Sequence, residues 1–306
     1  MNKTKALILF SGGLDSILAA KLLMEQGVKV QGLIFKSYFF DLGRAQQTAK
    51  EIGIKLKIND FSKEHLKMVK KPKHGYGKNM NPCIDCHALM FKIAKRIMEK
   101  ENFDFVASGE VLGERPMSQN KNALKLIEKE SGLNGYLLRP LSAKLLEPTE
   151  IEKRGLIDRE KLLDIRGRSR KKQLELARKW KIKEYPNPAG GCLLTDINFS
   201  KRFKKLLDKY PKVGESDVNL LKIGRHFWND SNKIIVGRNH QENLGIKKLK
   251  QKNDILIELK DFTGPTILIR GYQGKISEKA IAEAQRLIQH YSIKARDKKD
   301  LKFKIF

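Results

Sequence analysis

The chain of 306 residues carries 63 Lys and Arg against 35 Asp and Glu, a formal net charge of +28, with 40% hydrophobic residues. That length and apolar content suffice for a substantial core and exclude a disordered chain, and no stretch approaches the ~20 consecutive apolar residues of a membrane span. The positive charge goes far beyond what solubility needs and points to a polyanionic partner, nucleic acid first. A cytoplasmic protein with no membrane contact is expected, because Met1 to Lys5 is followed by a short apolar strand rather than a signal-peptide core.

In chain order, the apolar run Ala6 to Phe10 predicts a strand, Ser11-Gly12-Gly13-Leu14-Asp15-Ser16 a tight glycine turn, and Ile17 to Leu23 a helix. Two glycines let backbone N–H groups approach a ligand closely, and the positive end of the following helix favours an anion there. The spacing is neither that of a Walker A loop nor G-x-G-x-x-G. Val28 to Phe35 predicts a second strand, Arg44 to Ile52 a helix and Ile54 to Ile58 a third strand, the alternation of a parallel sheet with helices on both faces. Nucleotide then belongs at the carboxyl ends of the strands. Lys70 to Pro82 reads as an exposed loop, Ile84 to Lys100 as a helix, and Phe103 to Ala107 as a strand ending in Ser108-Gly109-Glu110 and a loop over 111–118 that faces the same crevice. Residues 147–182 read as a helical region with the basic core Arg166 to Lys172, and Tyr185 to Cys192 as an irregular loop. The last 106 residues hold 25 Lys and Arg against 12 Asp and Glu. Their strands near 233–236, 254–259, 265–270 and 302–306 and a helix over 277–291 predict a small α+β domain.

Three cysteines, Cys83, Cys86 and Cys192, are too few and too odd a set for a disulfide scaffold and read better as chemistry. Cys83 and Cys86 sit at a helix start, where thiolates are favoured as anions and ligands. Three readings stay open. One is a 4Fe–4S cluster on Cys83, Cys86 and Cys192 with one iron left without a protein thiolate. Another is a cluster-free persulfide on one cysteine, resolved as a disulfide by another. The third is zinc with His87 or His74 as fourth ligand.

The SGGLDS turn resembles the SGGxDS signature of the PP-loop ATP pyrophosphatases. Asn81-Pro82-Cys83-Ile84-Asp85-Cys86-His87 resembles the NPCxxCN segment of tRNA 2-thiouridylases. Ser108 to Gly113, Ser118-Gln119 and Leu138-Arg139-Pro140-Leu141 resemble the TGExLGQxxSQ and RPL segments of tRNA 4-thiouridine synthetases. In the tail, Val236 to Asn243 and Ala280 to Ser292 resemble the NFACT-R RNA-binding domain, although Asp254-Ile255-Leu256-Ile257-Glu258 stands where that family has Trp-Leu-His.

The resemblances imply a doubly wound parallel-sheet PP-loop domain, of the adenine nucleotide α-hydrolase kind, over 1–199 and a basic α+β tRNA-binding domain over 200–306. They imply ATP-dependent replacement of a uridine carbonyl oxygen by sulfur, at the 2- or 4-position. ATP is expected on Ser11, Gly12, Gly13, Asp15, Ser16, Ser108 and Gly109, with its base near Phe35 and Asp15 helping to hold Mg²⁺. Cys83, Cys192 and Asp15 are the expected catalytic residues, and the 4Fe–4S cluster is the first choice for the cysteines. The partners expected are tRNA and a sulfur donor, either inorganic sulfide or a sulfur-carrier protein. Lys92, Arg139 and Lys144 are candidate phosphate partners. With the glycine turn beginning at residue 11, no THUMP-like module is expected before it, so the basic tail is expected to hold the tRNA. Two rivals remain: a non-catalytic RNA-binding factor, and a PP-loop ligase that transfers nitrogen. His65, His226 and His290 read as structural or surface residues, and Trp180 and Trp228 as packing residues.

Overall fold

A computed structural model describes residues 3–185 and 191–306. The chain divides into two compact units, Met1–Thr195 and Asp196–Phe306. The boundary falls four residues earlier than the sequence suggests, because the Asp196 side chain accepts the Phe199 amide at 2.6 Å and so starts the first helix of the second unit.

The first unit runs β1 (Lys5–Leu9), α1 (Leu14–Glu25), β2 (Lys29–Lys36), α2 (Ala45–Glu51), β3 (Lys55–Asp60), α3 (Ser62–Lys70), α4 (Cys83–Lys100), β4 (Phe105–Ser108), α5 (Lys121–Ser131), β5 (Leu137–Leu138), α6 (Glu150–Lys153) and α7 (Lys171–Lys179). Its five strands form one parallel sheet in the order β3-β2-β1-β4-β5. β1 is central, and its residues alternate between two cores. Ala6 and Ile8 join Phe10 and the helix face of Ile17, Leu18 and Leu22, while Leu7 packs with Phe35, Phe91 and Val106 on the other face. A strand buried on both sides reads as an unbroken apolar run for this reason.

The region 147–182 is less helical than its composition suggests. Between α6 and α7 the chain is largely irregular, with Gly155 and Gly167 at φ of +69° and +78°. There the backbone pairs with the 111–118 loop instead of with itself, through the Leu112 to Arg166 bridge and the Gly167 amide to Leu112 carbonyl bond of 2.7 Å. α7 then packs against α1.

The second unit runs α8 (Ile197–Lys209), α9 (Glu215–Leu221), β6 (Arg225–Asn229), β7 (Asn232–Val236), α10 (His240–Lys248), β8 (Ile255–Leu259), β9 (Ile267–Gly271), α11 (Glu278–Tyr291) and β10 (Phe303–Ile305). Its sheet is antiparallel in the order β10-β8-β9-β7-β6. One face carries Ile234, Val236, Ile257 and Ile269 against Ala280, Ala284 and Ile288 of α11. Among the described residues no helix is long and apolar enough to cross a membrane.

Candidate active site

The turn after β1 is held open by its own short bonds. The Gly13 amide donates to Ser11 Oγ at 3.3 Å, and the Ser16 hydroxyl donates to the Gly13 carbonyl at 2.8 Å. Gly12 has φ of +76°, and a Cβ there would come within 2.7 Å of the Ala45 Cα in α2. Gly109, directly after β4, is closer still: a Cβ would lie 2.6 Å from the Ser16 amide nitrogen and from the Asp15 carbonyl carbon. Two strand ends are thus pressed together at the turn, and only glycine permits it. Ser108 is buried, and its hydroxyl donates to Glu110 Oε2 at 3.2 Å.

Around this turn lie buried polar atoms with no hydrogen-bond partner: Asp15 Oδ1, Arg170 Nε, and both Gln173 amide atoms. Gln173 is fully buried. Burial raises the Asp15 pKa above 3.8, opposed by the Arg170 charge, by Gln173 and by the Arg115 charge. Glu114 is raised as well, by burial and then by the Asp15 charge. A buried carboxylate, an arginine and an amide left with unused bonding capacity beside an anion-favouring turn suit a phosphate ligand and its counter-ion. Arg170 lies in the basic run visible in the sequence. Gln173 and Glu114 gave no sequence signal, because only the pairing of the 111–118 loop with residues 166–167 brings them to the turn.

The cysteines are set by a second group of contacts. Cys83 opens α4, and Asp85 accepts the Lys73 and His74 amides at 3.1 and 3.0 Å, which folds the preceding loop onto the helix start. That loop also holds the segment of Cys192: the Met80 amide donates to the Leu194 carbonyl at 3.3 Å, and Asn79 Nδ2 to the Thr195 carbonyl at 2.7 Å. Of the irregular stretch expected over Tyr185 to Cys192, residues 186–190 lie outside the described residues. All three thiols are half-buried. Burial pushes the Cys192 thiol up to about 11; the Leu194 backbone opposes the rise and the Cys83 charge adds to it. Burial pushes Cys86 well above its ordinary value, with Cys192 and Cys83 both contributing. Cys83 is raised by burial too, but the Arg115 charge and Asn81 act against the rise. The helix start therefore does not make these groups resting thiolates, because burial outweighs it.

A buried network joins the two groups. Glu110 Oε1 lies 2.7 Å from His87 Nδ1, and Glu110 Oε2 accepts Arg139 Nε at 2.9 Å. Arg139 Nη1 reaches Glu128 at 3.0 Å. Burial works against the Glu110 charge, but the Arg139 charge and His87 prevail and hold the carboxyl down at about 2. Arg139 is thus a buried partner of carboxylates and not a phosphate contact. Lys144 pairs with Glu160 at 3.0 Å, and Lys92 is exposed. Phe35, expected beside the base, is a core residue, buried with its ring centroid 5.0 Å from that of Phe61. His65 is likewise internal, 2.6 Å from Ser37 Oγ and stacked on Phe61.

Residues 1–152 match the family model of the thiamine biosynthesis protein (ThiI), and residues 224–306 that of the NFACT protein RNA binding domain. The chain is 28% identical to the tRNA-specific 2-thiouridylase MnmA of Stutzerimonas stutzeri over 272 residues, covering 82% of this chain and 67% of that one. It is also 28% identical to the tRNA-specific 2-thiouridylase MnmA of Pseudomonas entomophila over 275 residues, with the same coverage. The solved structure of a 4-thiouridine synthetase–RNA complex with bound ATP aligns with a TM-score of 0.38 at 20% identity, covering 72% of this chain and 52% of that chain.

The unpartnered Asp15 Oδ1 suits a divalent cation, since a buried carboxylate raised by desolvation gains most from one. The cysteines do not suit a cluster in the same way. Although their charges act on one another, no group of three or more His, Cys, Asp or Glu among the described residues is placed to hold a metal ion. The expected ligand set for 4Fe–4S, and for zinc with His87 or His74, is therefore not formed, and His87 is already engaged by Glu110.

Proposed function

We propose that this chain is an ATP-dependent tRNA thiolation enzyme that activates a uridine carbonyl oxygen as its adenylate and replaces it with sulfur. The family match supports the class of reaction. The observation that carries the reading at this site is the set of buried atoms without partners, on Asp15, Arg170 and Gln173, around a turn that two glycines keep open. Ser11, Gly12, Gly13, Ser16, Ser108 and Gly109 then line the phosphate cradle. The uridine oxygen attacks the α-phosphorus of ATP and pyrophosphate departs. Asp15 would hold Mg²⁺, which offsets the negative charge of the phosphates. Arg170 and Gln173, whose buried side-chain atoms lack partners, would donate to phosphate oxygens.

For the sulfur step we assign Cys83 as the carrier, because the Arg115 charge and Asn81 favour its anion, whereas Cys192 has only the Leu194 backbone to favour its own and Cys86 has nothing of the kind. A protein-borne persulfide hands its outer sulfur to the Cys83 thiolate: the new S–S bond forms at Cys83 as the donor's own S–S bond breaks, and the donor cysteine leaves as a thiol. The terminal sulfur bonds to the activated ring carbon, its proton passes to solvent, and AMP leaves with the electron pair of the C–O bond. Cys192 then attacks Cys83 Sγ, thiouridine departs with the outer sulfur, and a Cys83–Cys192 disulfide remains for a dithiol reductant to open. Arg115 acts on Asp15 and on Cys83 alike, so one side chain spans the activating and the sulfur-bearing halves. The test is single-turnover thiolation of tRNA by Cys83 persulfide under iron-free, anaerobic conditions. One thiouridine per loaded cysteine supports the reading, and activity only after iron and sulfide reconstitution overturns the cluster-free step.

A further inference from the structure

The second unit pairs its buried charges carefully in one place and leaves them unpaired in another. On one face of its sheet, Arg270 is buried but fully engaged: Nη2 lies 2.6 Å from Asp254 Oδ2, and Nη1 lies 2.8 Å from Asp217 Oδ1. Two strands along that face, where β6 meets α8, the same economy is absent. Arg202 Nε and both ring nitrogens of His226 are buried without a hydrogen-bond partner. Lys233, opposite Trp228 in the β6–β7 register, is 1% exposed. Burial and the charges of Arg202, Arg270 and Lys205 bring its ammonium down to about 7, with Asp217 alone opposing. Burial, then the charges of Lys233, Arg202 and Arg238, bring His226 to about 3, with the Ile223 backbone opposing. Asp196 is the one carboxylate acting on Arg202. The charges of Arg202 and Lys233 thus act against one another.

Next to them stands an aromatic row. The Trp228 ring has Lys233 Nζ 5.4 Å and Lys209 Nζ 5.2 Å from its centroid. Tyr272 leans on Trp228 at 5.8 Å, and Tyr210 on Tyr272 at 4.7 Å. Cations beside half-buried rings are the two components of single-stranded nucleic acid binding, one for the backbone and one for the bases.

We propose that Arg202, His226 and Lys233 form a pocket for one RNA phosphate and that Trp228 and Tyr272 receive the adjoining base. The site rests on the RNA-binding reading of this unit and extends it to particular residues. It lies outside the segment Asp254-Ile255-Leu256-Ile257-Glu258, which stands where the resembled domain has Trp-Leu-His.

The test uses the full chain. With the histidines labelled with ¹⁵N, six in all, a single-stranded uridine pentanucleotide is titrated in, with inorganic phosphate and sodium chloride at matched ionic strength as separate arms. The His226 ring resonances are expected to shift and saturate with the pentanucleotide. In parallel, tRNA affinity is measured against salt for the wild type, for Arg202→Gln, for Trp228→Leu and for Lys299→Ala as an exposed control, with melting curves to confirm folding. Arg202→Gln is expected to weaken tRNA binding about 10-fold and to flatten the log–log salt slope by about 0.7, the contribution of one single-strand phosphate. Trp228→Leu is expected to weaken binding with the slope unchanged. If tRNA binds the wild type but His226 does not shift and Arg202→Gln keeps its affinity and slope, the pocket is refuted while RNA binding stands. If phosphate alone shifts His226 as fully as the oligonucleotide does at equal concentration, the occupant is free phosphate and the RNA assignment is overturned. If the wild type binds no tRNA, the RNA-binding reading itself falls.

Discussion

The His87 ring nitrogen Nδ1 lies 2.7 Å from Glu110 Oε1, and this contact ties the helix that begins with two cysteines to the strand end that presses against the glycine turn. Glu110 in turn holds Arg139, so the segments around the CxxC pair, Ser108-Gly109-Glu110 and Arg139-Pro140-Leu141 meet in one buried network. Its role is to fix geometry between two chemical halves.

Removing Glu110 leaves Arg139 buried with Glu128 as its remaining carboxylate. Glu110→Ala is expected to cost about 3 kcal/mol or more, since a buried charge that loses its partner keeps its desolvation penalty. The pH dependence follows from the sign of the shift. The folded pKa, about 2, lies below the unfolded value near 4.5, so the contribution is full above ~pH 5 and is lost as pH falls from there toward 2. Urea midpoints at pH 7 and pH 4 measure both effects, and the wild type should lose more between the two than Glu110→Gln does.

Gly109→Ala and Gly12→Ala test the close approach at the turn. Each puts a Cβ within 2.7 Å of backbone, at Ser16 or at Ala45, that cannot move aside as a side-chain tip can. A loss of ~1–3 kcal/mol in stability is expected for each, with ATP affinity falling at least 10-fold. Isothermal titration with ATP and a thermal melt read the two effects separately.

The Asp15 carboxyl titrates above 3.8 because it is buried, and only its ionised form recruits a cation. Affinity for Mg-ATP is therefore expected to fall as pH is lowered toward that raised pKa, beginning at higher pH than an exposed aspartate would allow. Asp15→Asn should lose at least 100-fold in pyrophosphate release and show no such pH dependence. Equilibrium binding of Mg-ATP between pH 5 and 8 gives the comparison.

The cysteines are expected to separate by role. Cys83→Ser should abolish sulfur transfer while leaving tRNA-dependent AMP formation, whereas Cys192→Ser should trap a tRNA–Cys83 disulfide adduct that a dithiol releases. Mass spectrometry of the protein after one turnover distinguishes them. Because the Cys192 thiol sits near 11, the release step should quicken as pH rises from 7 to 9.

Much of the first unit was legible because its signals are local. Ala6 to Phe10 reads as a strand since both faces of β1 are buried, and the glycines of the turn stand beside each other in sequence. Gln173, Glu114 and Arg170 were not legible as a group, because their meeting depends on the chain at Arg166 and Gly167 pairing with Leu112. Phe35 misled for the opposite reason: an aromatic at a strand end suits a base, but Phe61 and the core already cover it. The helix start at Cys83 suggested anionic thiols, and burial, which no spacing reveals, reversed the sign. In the second unit the strand β6 is not legible in the sequence, because its apolar residues, Phe227 and Trp228, are flanked by Arg225, His226 and Asn229 rather than by a regular alternation.

The most direct measurement of the central claim is the release of AMP and pyrophosphate from ATP by the full chain with and without tRNA, followed by nucleoside analysis of that tRNA. Release is expected only when tRNA is present, with one thiouridine gained per AMP when Cys83 has been loaded with sulfur. ATP turnover independent of tRNA, or a tRNA changed at nitrogen with its uridines untouched, would contradict that claim.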